Sequence, residues 1–204
     1  MTGPRVGADG RRRCPWGNAT ADYAAYHDDE WGRPLRGDDA LFERMCLEAF
    51  QSGLSWITIL RKRPAFRAAF AGFSITAVAA FGPADETRLL ADAGIVRNRA
   101  KVAATIANAR IAAELPDGLS VLLWSFAPAG RRRRPRSTAD IPTDSLESRA
   151  MNRDLRRRGF SFVGPTTAYA LMQATGMVDD HLAGCWRARK SPELLPMLPG
   201  VSGR

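Results

Sequence analysis

Apolar residues recur at helical spacing through most of the chain. In the segment that follows Asp38, six of them repeat at intervals of three and four: Leu41, Phe42, Met45, Cys46, Ala49 and Phe50. This spacing predicts a helix with one apolar face, and Asp38 is a residue type that often caps a helix N-terminus. At about 100° per residue, Glu48 falls at the edge of that face.

Further helices are predicted downstream, and the alternation typical of strands is nearly absent. The segment LSWITILRKR is expected to be helical until Pro64, and residues 86–115 to form two helices broken at Gly94. Residues 145–160 predict a basic helix, and a last helix is predicted to begin near Gly164. The sequence therefore predicts an all-α fold.

The chain length favours one domain. A chain of 204 residues can bury one substantial core but is short for two. We expect a disordered basic leader at residues 1–13, one domain at 14–190 and a tail at 191–204. Residues 127–142 are rich in proline, glycine and arginine and predict a loop, whose arginines between Arg131 and Arg136 either contact a DNA backbone or have no specific role.

The charge balance is basic. Lysine and arginine number 30 against 21 acidic residues, which gives a formal charge of +9. This excess indicates an anionic partner such as nucleic acid, or else a solvated surface in an arginine-rich chain. Apolar runs of about 18 residues and the apolar core of a signal peptide are absent, so we expect a cytoplasmic protein without a membrane partner.

Each of the two histidines has a cysteine as a sequence partner. Cys14 lies thirteen residues before His27, and Cys185 lies four residues after His181, where the pair would share a helix face. Two thiolates and two imidazoles complete a tetrahedral zinc shell, so such a site would be structural. The spacing is not that of a standard zinc finger, and buried core residues are the alternative. Cys46 lies on an apolar stripe and is interpreted as core.

Five large aromatic residues lie in the first part of the chain: Trp16, Tyr23, Tyr26, Trp31 and Trp56. Core packing explains most such clusters. The functional alternative is a pocket in which rings stack on a planar, cationic ligand, for which a nucleobase is a candidate. Glu48 supplies an acceptor near an apolar surface, where an unpaired carboxylate is costly. The chain has no glycine-rich phosphate loop, serine nucleophile elbow or HExxH motif.

Several spaced motifs occur in one order along the chain: YHDDEWG, LFERMCLEAFQSGLSWITIL, RGFSFVGPTTAYALMQATGMVDDH and GC. Together they resemble the DNA-3-methyladenine glycosylase I family over about residues 14–187. The resemblance implies a helix-hairpin-helix DNA glycosylase fold, and removal of 3-methyladenine from alkylated double-stranded DNA. It also implies one structural zinc ion per chain that joins the N- and C-terminal segments through Cys14, His27, His181 and Cys185.

The resemblance also implies roles for particular residues. The flipped base would enter a pocket walled by Trp16, Tyr26 and Trp56, with Tyr23 and Trp31 nearby, and Glu48 would accept a hydrogen bond from it. The wedge that fills the vacated base stack would be Gly53 and Leu54. The hairpin at residues 158–167 would bring the backbone at Gly159 and Gly164 close to a DNA phosphate.

The expected enzyme is a monomer that releases free 3-methyladenine and leaves an abasic site. No lysine occupies an evident nucleophile position, so strand cleavage is not expected. The alternative function is a non-catalytic zinc-containing protein that binds DNA damage, which would not need Glu48 beneath an aromatic cage.

Asp179 departs from the family pattern, in which Asn is usual at this position. Two hypotheses stay open. Asp179 stabilises the developing oxocarbenium ion as a carboxylate can, or it caps a helix that carries His181.

Overall fold

Nine α-helices account for most of the residues that the computed structural model describes, which are residues 3–130 and 133–189. The all-α prediction is therefore confirmed as a mostly helical fold. The predicted tail at 191–204 lies outside the described residues, as do Arg131 and Arg132 of the basic loop. The helices are α1 (Ala21–Asp29), α2 (Asp38–Gln51), α3 (Trp56–Ala69), α4 (Ile75–Ala79), α5 (Pro83–Ala91), α6 (Arg99–Ala113), α7 (Gly118–Trp124), α8 (Leu146–Arg157) and α9 (Pro165–Ala174).

Helix α2 lies in the centre of the fold. It packs against α3, α6, α7 and α9, and nearly all its residues from Leu41 to Phe50 are buried. A helix that is covered on all sides has no solvent face, so Glu48 is buried and does not lie at an edge. The predicted N-cap was wrong: the helix is capped by Gly37, and the Asp38 carboxylate accepts a hydrogen bond from the backbone N–H of Ser120, 2.7 Å away in α7.

The predicted disordered leader was wrong for the residues that the structure describes. Strand β1 (Arg5–Val6) pairs antiparallel with β2 (Arg12–Arg13). The hairpin is anchored because the buried Arg13 guanidinium donates to both carboxylate oxygens of Asp28, at 2.9 and 2.7 Å. Arg13 also binds Asp9 of the same hairpin, so a polar segment without apolar anchors is held by ion pairs.

Helix α3 continues through Pro64 to Ala69, so the predicted end at Pro64 was wrong. A proline inside a helix loses one backbone hydrogen bond and often breaks the helix. Here Ile59 and Leu60 before the proline and Phe66 after it are all buried in the core, which holds both halves in line. The predicted break near Gly94 is confirmed, because residues 92–98 separate α5 from α6.

The last helix and the lengths of the helices complete the description of the fold. Helix α9 begins at Pro165, directly after Gly164, as predicted. Within residues 3–130 and 133–189, no helix is long and apolar enough to span a membrane.

Lys101 stabilises the turn between α2 and α3 through contacts that no sequence pattern indicates. Its ammonium donates to the carbonyls of Phe50 and Ser52, at 2.9 and 2.7 Å. These carbonyls belong to the end of α2, where backbone acceptors lack partners within the helix. Next to them lies the predicted wedge, with Leu54 43% exposed. A lysine suits two adjacent carbonyls because its ammonium is compact and carries three donors.

Replacing Lys101 with methionine is expected to lower the free energy of unfolding by about 2 kcal/mol, because charged hydrogen bonds to the buried carbonyl of Phe50 and the part-buried carbonyl of Ser52 are lost. Denaturant unfolding monitored by circular dichroism measures the change. Lys62→Met is the matched control: its ammonium binds the carbonyls of Ala93 and Gly94 in a more exposed place, so the loss should stay under about 1 kcal/mol. Equal losses in the two variants would contradict a special role for Lys101.

Candidate active site and metal centre

The predicted aromatic residues come together around Trp16. A 3₁₀ turn (Pro15–Asn18) carries Trp16 to the start of α1. Its ring centroid lies 5.7 Å from that of Tyr23, 6.1 Å from that of Tyr26 and 5.1 Å from that of Trp31. Trp56, the first residue of α3, joins through Tyr26 at 5.3 Å. The structure thus brings all five rings into one cluster.

The polar atoms of this cluster differ in how they are used. The Tyr23 hydroxyl accepts a hydrogen bond from the backbone N–H of Ile57 at 3.1 Å, so Tyr23 positions the start of α3. The Tyr26 hydroxyl accepts one from the Arg44 guanidinium at 2.9 Å. The buried indole N–H of Trp56 has no hydrogen-bond partner in the described part of the chain. An unpaired buried donor is costly, which indicates a place for a ligand acceptor.

Glu48 lies one turn after Arg44 on α2 and lines a small cavity between α2 and the last two helices. It is 6% exposed, and within residues 3–130 and 133–189 no group donates a hydrogen bond to it. Burial raises the pKa of Glu48 to about 7, while the charge of Arg44 acts to lower it. The other cavity walls are neutral: Met45, Leu155, Val163, Thr167, Ala168 and Leu171.

Three of the four predicted metal ligands form a buried group. The sulfurs of Cys14 and Cys185 and a ring nitrogen of His27 lie within 4.8 Å of one another. The Cys185 sulfur lies 3.5 Å from His27 Nε2. A hydrogen bond from the Cys14 thiol lowers the pKa of Cys185 well below its usual range, and the same contact raises the pKa of Cys14. The thiolate is the form of cysteine that binds metals.

His181 is not part of that three-residue group, but it lies beside it. It is 1% exposed, and its ring centroid is 5.1 Å from that of His27. Its Nε2 has no hydrogen-bond partner among the described residues. His181 approaches the backbone so closely that a Cβ atom at Gly32 would lie 2.6 Å from its Cε1, which explains the glycine in this segment. Residues 181–185 form a turn, so the prediction that His181 and Cys185 share a helix face was wrong.

Both histidines bind a carboxylate through Nδ1. The distance is 2.8 Å from His27 to Asp28 and 2.9 Å from His181 to Asp179. A proton at Nδ1 leaves Nε2 as the acceptor, which is the common arrangement of imidazoles that bind metals. The second oxygen of Asp179 pairs with Arg134 at 2.6 Å. Asp179 caps no helix, so that hypothesis was wrong, and its contacts instead orient His181.

The predicted hairpin lies between α8 and α9. Gly159 has a φ of +97°, a conformation that favours glycine, and Gly164 directly precedes α9. Asn108 holds the segment from α6, because its side-chain amide exchanges two hydrogen bonds with the backbone of Ser161, at 3.0 and 2.9 Å. Asn108 occupies an ordinary helical position, so no sequence pattern indicates this role. Phe162 at the hairpin tip is 38% exposed.

Comparison with known proteins places this arrangement in a family. The chain belongs to the methyladenine glycosylase family, whose model matches residues 16–188.

Individual relatives agree with this assignment. The chain is 44% identical over 177 residues to DNA-3-methyladenine glycosylase 1 of Escherichia coli strain K12, which covers 85% of this chain and 95% of the relative. The crystal structure of a 3-methyladenine DNA glycosylase I superposes with a TM-score of 0.82 and 42% identity, covering 85% of this chain and 98% of that one. A variant of such an enzyme solved in complex with 3-methyladenine gives a TM-score of 0.81 and 32% identity, with coverage of 85% and 96%.

The raised pKa of Glu48 predicts how stability depends on pH. The folded state holds this proton up to about pH 7, whereas the unfolded chain releases it near the usual value of 4.5. Stability therefore falls as pH rises through this window, by on the order of 3 kcal/mol at most. Glu48→Gln cannot ionise, so its advantage over the wild type should grow between pH 4.5 and 7.5.

Denaturant unfolding of both proteins across that pH range measures the difference. Groups that titrate equally in both proteins cancel. A difference that stays constant with pH would mean that Glu48 titrates normally.

Proposed function

We propose that this protein is a DNA-3-methyladenine glycosylase that acts as a monomer on alkylated double-stranded DNA. Its product would be free 3-methyladenine, and it would leave an abasic site without cutting the strand. The observation that carries the proposal is a buried carboxylate without a hydrogen-bond donor, one helical turn from Arg44, which contacts an aromatic cluster with an unused donor, in a chain of the methyladenine glycosylase family. Relatives named for this activity support it.

The leaving group needs little acid catalysis from the protein. Methylation at N3 gives the adenine a positive charge, so the bond electrons pass to the base when the glycosidic bond breaks, and the base leaves neutral. Water then bonds to the sugar carbon and gives its proton to solvent. The protein accelerates this reaction if it binds the departing base better than the base in the duplex.

We assign recognition of the flipped base to the aromatic cluster and Glu48. Trp16, Tyr26 and Trp56 would stack on the base, with Tyr23 and Trp31 supporting them, because aromatic faces attract a cationic ring. Glu48 would accept a hydrogen bond from the base amino group. The buried carboxylate has no hydrogen bonds from solvent. A hydrogen bond from the base therefore contributes more to the binding free energy than it would at a surface.

We assign DNA binding to the hairpin and the wedge, in a helix-hairpin-helix arrangement. Backbone amides between Gly159 and Gly164 precede the N-terminus of α9, where a phosphate is favoured. Arg153 and Arg156 on α8 are exposed and add positive charge to the helix that precedes the hairpin. Leu54 is exposed and would fill the gap left by the base.

We further propose that Cys14, His27, His181 and Cys185 hold one structural zinc ion. The residues fit the ion, because two thiol sulfurs and two imidazole nitrogens are its usual tetrahedral donors. The buried Nε2 of His181 lacks a hydrogen-bond partner among the described residues, which a metal bond would supply. The ion would join the two segments of the chain and would take no part in the reaction.

Methylated duplex DNA should release 3-methyladenine when incubated with the wild type, as measured by chromatography of the free bases. At about pH 8, where Glu48 is mostly ionised, Glu48→Ala should slow release about 10- to 100-fold, because a charged hydrogen bond to the base is lost. Glu43→Ala is the matched control: this acid of the same helix pairs with Arg67 near the surface, and release should stay at the wild-type rate. A wild type that binds methylated DNA without releasing base would favour the non-catalytic alternative.

Metal analysis of the purified protein should give about one zinc ion per chain, since structural sites bind tightly and contribute to folding. His181→Ala should lose the ion and melt at a lower temperature. Asp179→Asn is the control, because an amide oxygen can still accept the bond from His181, so zinc and base release should both persist. Full zinc retention in His181→Ala would refute the site, and a large loss of base release in Asp179→Asn would restore the catalytic hypothesis.

A further inference from the structure

A charged side chain is buried next to the aromatic cluster. Arg44 lies on α2 and is 7% exposed, with Phe42 and Met45 buried beside it. Removing an ionised guanidinium from water is costly unless protein groups replace the lost hydrogen bonds. The groups that Arg44 binds therefore indicate what its charge is used for.

Arg44 has two polar partners: Glu30, which Arg63 also binds, and the Tyr26 hydroxyl, which only Arg44 contacts among the described residues. Its Nη2 lies 3.3 Å from a carboxylate oxygen of Glu30. Arg63 binds that carboxylate through both oxygens and more closely, with one distance of 2.7 Å, so Glu30 already has a nearer cation. The Nη1 of Arg44 donates to the Tyr26 hydroxyl oxygen at 2.9 Å, and no other described residue makes this contact.

The contact determines how the Tyr26 hydroxyl can be used. A guanidinium carries five N–H donors and no acceptor. Because the Tyr26 oxygen accepts from Arg44, the hydroxyl proton must point elsewhere. No side chain within the described ranges accepts that proton, so it is available to a ligand.

Arg44 also lies close to the second unused donor. Its guanidinium carbon is 5.3 Å from the Tyr26 ring centroid and 5.6 Å from that of Trp56, whose indole N–H is buried and unpaired. The same helix supplies the acceptor Glu48 one turn later. Two donors and one acceptor match a methylated adenine, which offers ring nitrogens as acceptors and an amino group as a donor.

We propose that Arg44 is a positioning residue for base recognition, which commits the Tyr26 hydroxyl proton to an acceptor nitrogen of the bound base. This inference rests on the proposed function. The inference specifies the direction of the hydrogen bond between Tyr26 and the base. Tyr26 is the donor, because its oxygen already accepts a hydrogen bond from the Arg44 guanidinium. A neutral apolar residue at position 44 would leave the hydroxyl free to rotate.

A double-mutant cycle tests the proposal, with binding of free 3-methyladenine to zinc-loaded protein measured by calorimetry. In the wild type, Tyr26→Phe should weaken binding about tenfold, the value of one oriented hydrogen bond. In Arg44→Met, the same change should cost about twofold or less, because the orientation is already lost. Arg44→Lys keeps a cationic donor and should restore the penalty.

Arg63→Met is the matched control, because it removes the nearer cation of Glu30 without touching Tyr26. The full Tyr26→Phe penalty should persist there. The proposal is overturned if that penalty is also full in Arg44→Met, or if Arg63→Met abolishes it as strongly as Arg44→Met does.

Folding and function are kept separate in this design. Circular dichroism identifies variants that fold. If Arg44→Met does not fold, Arg44→Lys decides alone, and a Tyr26→Phe penalty below about threefold in that folded variant overturns the proposal. A wild type that releases 3-methyladenine but shows additive substitutions rejects only the role of Arg44, whereas a wild type that neither binds nor releases the base rejects the proposed function itself.

Discussion

The contact between the beginning of the domain and residues 181–186 supports the rest of the site. Asp28 accepts hydrogen bonds from Arg13, from His27 and, at 2.9 Å, from the indole of Trp186. The backbone of Leu182 donates to the Cys14 sulfur across 168 positions of sequence. These bonds fix α1 against the end of the fold, and α1 in turn carries Tyr23 and Tyr26. Without this closure, the aromatic cluster would lose one of its walls.

The candidate metal site and the candidate base pocket are in direct contact. The Trp16 ring lies 5.1 Å from that of His27, and the Trp31 ring lies 4.7 Å from that of His181. Each histidine therefore touches an aromatic residue on one face of the cluster. The mixture of rings, acids and one histidine in residues 23–32 follows from this arrangement, because the same ten positions belong to both sites.

Helical periodicity was sufficient to predict most of the fold, and it failed where a distant residue decided the outcome. Pro64 stays inside α3 because core residues hold the helix on both sides, and residues 5–13 are ordered because Arg13 finds Asp28. In both cases the stabilising partners, which are the core around α3 and the carboxylate of Asp28, lie outside the local sequence pattern. The candidate site was predictable as residue types, because five tryptophan and tyrosine residues lie from Trp16 to Trp56 and each of the two histidines has a cysteine as a sequence partner. Arg44 and Asn108 were not, because their roles depend on which groups they meet across the fold.

The position of Lys101 has a geometric consequence. Helix α2 carries Glu48, and the turn that follows it carries Leu54, with the ammonium of Lys101 fixed to the carbonyls of Phe50 and Ser52 between them. Under the proposed roles, Glu48 meets the base outside the duplex and Leu54 takes its place inside. The separation between Glu48 and Leu54 is therefore fixed in the free protein. This separation sets the distance between the vacated base stack and the flipped base before DNA binds.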